Sequence, residues 1–165
     1  MTFALHGVIP AMVTPRDDIK DDIDLERLKR LTRTLLDAGC HGLFPTSSTG
    51  EAALLSPSHR RAAIEAVDEV ADGTVPILAS VGAASTIESI MLAVDVEHAG
   101  ATHLAILPTH FVPLSADELY GYFAAVADSA GVPSILYNYV NRDGSENLDE
   151  RNSMPLKQLS VAFAD

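Results

Sequence analysis

Gly73-Thr74-Val75-Pro76-Ile77-Leu78-Ala79-Ser80-Val81-Gly82-Ala83-Ala84-Ser85-Thr86-Ile87-Glu88 is the stretch whose pattern decides the fold. A glycine closes one helix, an aliphatic run follows, and Ser85-x-x-Glu88 opens the next helix. Glycine just past a helix end supplies the left-handed conformation that closes the last turn without a Cβ clash. A run that is continuous rather than alternating reads as a strand buried on both faces, as in a parallel sheet. Serine followed three residues later by glutamate is a capping box, which satisfies backbone donors that a helix start leaves orphaned.

The same unit recurs on both sides of this stretch. Helix-like segments end near Gly39, Gly73, Gly100 and Gly131, spaced 34, 27 and 31 residues apart, and aliphatic runs follow at 42–45, 75–81, 103–107 and 133–137. Ser56-Pro57 places an N-cap before a first-turn proline, and Ser115-x-x-Glu118 is a second capping box. Between the caps, Leu28, Leu31 and Leu35; Ala63, Val67 and Val70; Ile87, Ile90, Met91 and Val94; and Leu119, Phe123 and Val126 predict one apolar stripe per helix, facing a sheet. With 7–13 as a first strand, the order is strand, helix, strand, helix throughout. A β/α repeat of about 30 residues fits an open doubly wound sheet or a (β/α)8 barrel. No Gly-x-Gly-x-x-Gly follows the first strand and no Walker A pattern occurs, which weighs against the dinucleotide-binding open sheet. Without linker or low-complexity tract, residues 1–165 read as one domain; only 141–155 is polar enough for a long loop.

Composition narrows the classes of function. The 165 residues are 47% hydrophobic and 21% charged, with 23 acidic against 11 basic side chains and a net charge of −12. Apolar runs stop well short of the roughly 20 residues of a membrane span, and the first ten residues carry no signal or transit pattern, so a cytoplasmic, non-membrane protein is expected. The acidic balance repels phosphate backbones, which argues against a nucleic-acid partner. The single cysteine, Cys40, excludes an internal disulfide framework and reads as a small buried hydrophobe. Six histidines without metal-ligand spacing predict no metal site, and no motif calls for a cofactor.

In a β/α architecture functional groups belong at the C-terminal ends of strands. The second strand ends in Pro45-Thr46-Ser47-Ser48-Thr49-Gly50-Glu51, a hydroxyl-rich turn able to offer neutral donors to a carboxylate. The fifth ends in Leu136-Tyr137-Asn138-Tyr139, followed by Arg142 and Gly144. A phenol there can relay protons, and an arginine can fork onto a carboxylate. His110 follows the fourth strand and belongs to the same rim.

Three motifs in order, Gly7-Val8-Ile9-Pro10-Ala11-Met12-Val13-Thr14-Pro15, Ser48-Thr49-Gly50-Glu51, and Tyr137-Asn138 with Arg142 and Gly144, resemble the dihydrodipicolinate synthase and N-acetylneuraminate lyase family. The resemblance implies an α/β chain of the (β/α)8 TIM-barrel family, here about the first five β/α units plus a sixth strand, since a closed barrel takes about 250 residues. It implies a Schiff-base lyase acting on pyruvate or a related 2-oxo acid, with an aldehyde as second substrate. Carried over by motif, Ser48, Thr49 and Gly50 hold the 2-oxo-acid carboxylate, Tyr137 and Thr49 serve the chemistry, and Arg142 receives the second substrate's carboxylate. Ser47 stands where the family usually has glycine, Val140 replaces a common proline, and Thr109 and His110 replace aromatic hydroxyls of the synthase branch.

Val161-Ala162-Phe163-Ala164-Asp165 resembles the family's sixth strand, with Ala164 where its nucleophilic lysine stands. Alanine forms no imine. Two readings follow: a lyase-family chain that is catalytically incomplete, or a non-catalytic pseudoenzyme or subunit that binds 2-oxo acids. Either is expected to associate as a homo-oligomer or through its unclosed sheet.

Overall fold

The computed structural model describes residues 4–17, 22–108, 114–138 and the backbone of 161–163. Strands and helices alternate along the chain, which divides into two compact units.

The first unit comprises Met1–Ser80 and Asp95–His103. Three extended segments run parallel in chain order, joined at the bridges Ala11↔Phe44 and Leu43↔Ile77. The expected first two strands are therefore short ladders: Met12 N–H donates to Phe44 O at 3.0 Å and Phe44 N–H to Pro10 O at 3.1 Å. Two two-residue strands that the apolar pattern did not signal, β1 (Arg16–Asp17) and β2 (Asp22–Ile23), pair antiparallel. Helix α1 (Leu25–Asp37) follows, capped by Asp24, whose carboxylate accepts the Arg27 N–H.

Helix α2 (Pro57–Ala71) starts as the sequence predicts, with Ser56 accepting the His59 N–H and proline in the first turn. It ends in two successive left-handed residues, Asp72 (φ 45°) and Gly73 (φ 66°). Strand β3 (Leu78–Ser80) lies fully buried.

The second unit comprises Val81–Val94 and Leu104–Asp165. Strands β4 (His103–Ile106), β5 (Ser134–Asn138) and β6 (Val161–Phe163) are parallel neighbours, with Leu104 opposite Ser134 and Tyr137 opposite Ala162. Helix α4 (Ala116–Ala127) carries the complete Ser115/Glu118 capping box. It stops at Ala127, short of the expected end at Gly131, with Asp128 as its cap. The fifth helix of the expected series falls outside the described residues.

The helix between the two aliphatic strands, α3 (Thr86–His98), departs from expectation. Of its expected stripe, Ile87 and Met91 are turned outward, while Ile90 and Val94 are half-buried. Ile87 is 71% exposed and Met91 66%, while Ser89, Leu92, Ala93 and Val96 are buried. The buried set has the same three-and-four spacing, so the helix carries two competing stripes, and the one with smaller residues lies inside. Ser89 explains the choice, because its hydroxyl accepts the Ala83 N–H at 3.1 Å and bonds the buried Tyr122 hydroxyl at 3.0 Å. The Ser85 hydroxyl accepts the Glu88 N–H and bonds its carboxylate, giving the start of α3 its cap. No helix among the described residues is long and apolar enough to cross a membrane.

This orientation sets opposite outcomes for two neighbouring positions. Ile87→Gln changes unfolding free energy in urea by about 0.5 kcal/mol or less, as for an exposed site. Ala93→Leu, inserted at a fully buried position, costs about 1–3 kcal/mol from overpacking.

Candidate functional site

The hydroxyl-rich turn lies in the first unit, directly after the segment that ladders onto residues 10–12. Its path is fixed by backbone geometry. Thr46 (φ 55°) and Glu51 (φ 57°) both adopt the left-handed conformation, which non-glycine residues hold only when their surroundings compel it, at roughly 1–3 kcal/mol each. Between them, Glu51 N–H donates to Ser48 O at 3.1 Å and Ala52 N–H to Ser47 O at 3.2 Å. The Thr14 hydroxyl donates to Gly50 O at 2.7 Å, tying the turn to the end of the first strand segment.

Gly50 is required by close approach. A Cβ there would lie 2.9 Å from Met12 O, 3.1 Å from Thr14 Oγ1 and 3.1 Å from Thr46 N. A 3-10 turn over Ala52–Leu54 then leads to the Ser56 cap of α2.

The four hydroxyls divide into two pairs. Ser48 and Thr49, named from the motif as carboxylate ligands, are exposed. Thr46 and Ser47 are 0% and 5% exposed, and their hydroxyls have no hydrogen-bond partner among the described residues. Most buried polar atoms in proteins are satisfied, so two adjacent orphans at a strand's C-terminal end are a functional signal. The sequence showed these residues in the turn without indicating which hydroxyls turn inward.

One helical turn into α2, Arg60 is also buried with Nε and NH1 unpartnered. Burial pulls its pKa below the usual guanidinium value. Its position was legible: Arg60, Ala63, Ile64 and Val67 follow the three-and-four spacing of the buried stripe.

In the second unit, Tyr137 stands on β5, half-buried, one residue beyond the Ile106↔Leu136 pair. Arg142, Thr109, His110 and Ala164 lie outside the described residues. A polar relay that the motifs did not indicate runs nearby in sequence: Tyr122 donates to Leu107 O at 2.8 Å and bonds Ser89, which accepts the Ala83 N–H. It joins the loops that follow β3 and β4. Burial raises the Tyr122 pKa, with the Ser89 hydrogen bond opposing it. Gly82 keeps these loops close, since a Cβ there would lie 2.6 Å from the Leu107 Cβ. Cys40 is half-buried, and burial raises its thiol pKa.

Residues 4–151 match the model of the dihydrodipicolinate synthetase family. The chain belongs to this family. It is 35% identical over 144 residues to the 4-hydroxy-tetrahydrodipicolinate synthase of Methanopyrus kandleri, covering 87% of this chain and 48% of that protein. It is 36% identical over 152 residues to the N-acetylneuraminate lyase of Citrobacter koseri, covering 91% and 51%. A crystal structure of a dihydrodipicolinate synthase superimposes with a TM-score of 0.86 at 29% identity, over 93% of this chain and 52% of that one. A prophage protein of E. coli K12 from the same family, solved in complex with pyruvate, gives 0.77 at 31% identity, over 81% and 44%.

The chain thus spans about half the length of the curated relatives it matches. Its α/β order is that of a partial (β/α)8 barrel in the Schiff-base lyase family.

Two substitutions test the packing of these loops. Tyr122→Phe removes the donor to Leu107 O and strands Ser89, costing about 1–3 kcal/mol in denaturant unfolding. Gly50→Ala forces the turn off Met12 O and destabilises by at least about 1 kcal/mol, read the same way.

Proposed function

We propose that this chain, as one barrel-derived domain over residues 1–165, binds the carboxylate of a pyruvate-like 2-oxo acid in the turn Thr46–Glu51. The observation that carries the proposal is the pair of buried, unpartnered hydroxyls on Thr46 and Ser47, beside the exposed hydroxyls of Ser48 and Thr49. A turn held in two left-handed residues and anchored through Thr14 presents donors that need no reorganisation when an oxyanion arrives. The motif assigns Ser48, Thr49 and Gly50 to the carboxylate, Tyr137 to proton relay and Arg142 to the carboxylate of an aldehyde-bearing second substrate. Ser47, standing where the family usually has glycine, adds a hydroxyl to the same turn.

The lyase chemistry of the family requires a lysine whose amine condenses with the keto carbon and expels water. The iminium then draws electrons from the adjacent carbon, so that carbon can form or release a bond to the aldehyde. In this chain Ala164 occupies the corresponding position of the sixth-strand motif, and methyl cannot replace an amine. We therefore propose that the chain contributes 2-oxo-acid binding and not the imine nucleophile, working in the cytoplasm within a homo-oligomer or an assembly that pairs its open sheet.

Incubating the purified chain with pyruvate and borohydride, followed by intact-mass analysis, separates binding from catalysis. The expected result is no covalent adduct, together with millimolar binding by calorimetry that weakens about tenfold in Thr49→Ala. A stoichiometric adduct on a lysine overturns the assignment of Ala164, and heat-silent pyruvate titration with unchanged spectra overturns the binding proposal.

A further inference from the structure

Adjacent arginines on α2 have opposite surroundings. Arg61 is paired twice, its Nε 2.8 Å from Glu65 and its NH1 2.6 Å from Asp95. Arg60 is 8% exposed and its Nε and NH1 meet no acceptor among the described residues. Several carboxylates on and near α2 pair with other cations. Glu69 takes Lys29 at 2.6 Å, Asp22 takes His59 at 3.2 Å, and Asp68 packs where a Cβ on Gly100 would lie 2.5 Å from its Cγ.

The location adds to the charge imbalance. Arg60 lies in the first turns of a 15-residue helix, near the end where the macrodipole is positive. That end has few free donors of its own, because Pro57 has no N–H and Ser56 already takes the His59 N–H at 3.2 Å. A buried cation beside a positive dipole is disfavoured twice over unless an anion joins it. A helix start combined with an unpaired buried guanidinium is a recurrent way to hold an oxyanion.

We propose that Arg60, at the start of α2, forms an oxyanion site that takes a small carboxylate or phosphate and differs from the neutral Thr46–Glu51 turn in carrying a formal positive charge. The site requires no keto carbon, so it is testable independently of 2-oxo-acid binding.

The test compares the full chain with Arg60→Met, Arg60→Lys and, as a surface-charge control, Arg61→Gln, in thermal unfolding with acetate or inorganic phosphate at constant ionic strength. Wild type and Arg61→Gln should gain about 3–6 °C at saturation. Arg60→Met should melt higher than wild type without anion, because an unpaired charge is gone, and should lose the anion response that Thr49→Ala, which weakens the neutral turn, leaves in place. A response to phosphate alone assigns a phosphate site and one to acetate alone a carboxylate site, and either upholds the proposal.

A response undiminished in Arg60→Met overturns it, and one that only Thr49→Ala removes belongs to the turn and overturns it as well. So does a lower anion-free Tm in Arg60→Met, which would reveal a carboxylate of the chain itself as the partner. If Arg60→Met fails to fold, the arginine Nε–H correlation of the wild-type protein decides, assigned by its loss in Arg60→Lys. Movement of that signal with phosphate or acetate supports the site, and its invariance overturns it.

Discussion

The hydrogen bond from the Thr14 hydroxyl to Gly50 O, 2.7 Å long, holds the geometry on which the candidate site depends. It fixes the turn against the first strand segment, and the Met12–Phe44 ladder fixes that segment against the second. Only a residue without a side chain fits at position 50, since the Met12 carbonyl approaches from one side and Thr46 N from another. With the turn pinned, Thr46 and Glu51 are driven into left-handed backbone, and the hydroxyls between them face different environments. The arrangement is preorganised because its strain is carried by the strand ladders below it rather than by a ligand.

Much of the fold could be read from local chemistry. The buried runs at 75–81 and 103–107 contain the strands because an uninterrupted aliphatic segment has no solvent face to offer. Ser56, Ser115 and the glycines at 39, 73 and 100 marked helix limits through capping needs that operate within four residues. The face of α3 was not readable in this way. Its stripes 87-90-91-94 and 89-92-93-96 are equally regular, and hydropathy favours the first. A tertiary hydrogen bond from Ser89 to Tyr122, 33 residues away, settles the contest, and no local pattern reports it.

The site was legible in composition and illegible in direction. Four consecutive hydroxyls in a turn have no periodicity that separates inward from outward, so the motif pointed to Ser48 and Thr49 while the buried orphans are Thr46 and Ser47. Arg60 did carry a periodic signal, as a cation on an otherwise apolar stripe. That pattern ordinarily implies a long side chain snorkelling to water, and what distinguishes this case is that two of its nitrogens, Nε and NH1, stay buried and unpaired among the described residues.

These unpaired groups have a common physical consequence. A chain selected only for stability would replace Ser47 with a smaller residue and Arg60 with an apolar one, since each buried polar group without a partner costs about 1–3 kcal/mol and surplus stability is small. Ser47 stands in the turn that follows a parallel strand and Arg60 in the first turns of the next helix, the part of a β/α unit where such folds place their ligands. The neutral hydroxyls can orient an oxyanion without shifting its protonation, whereas the guanidinium favours its charged form through Coulomb attraction strengthened by burial. The two kinds of group thus act on an oxyanion in complementary ways, the hydroxyls by orientation and the guanidinium by charge compensation.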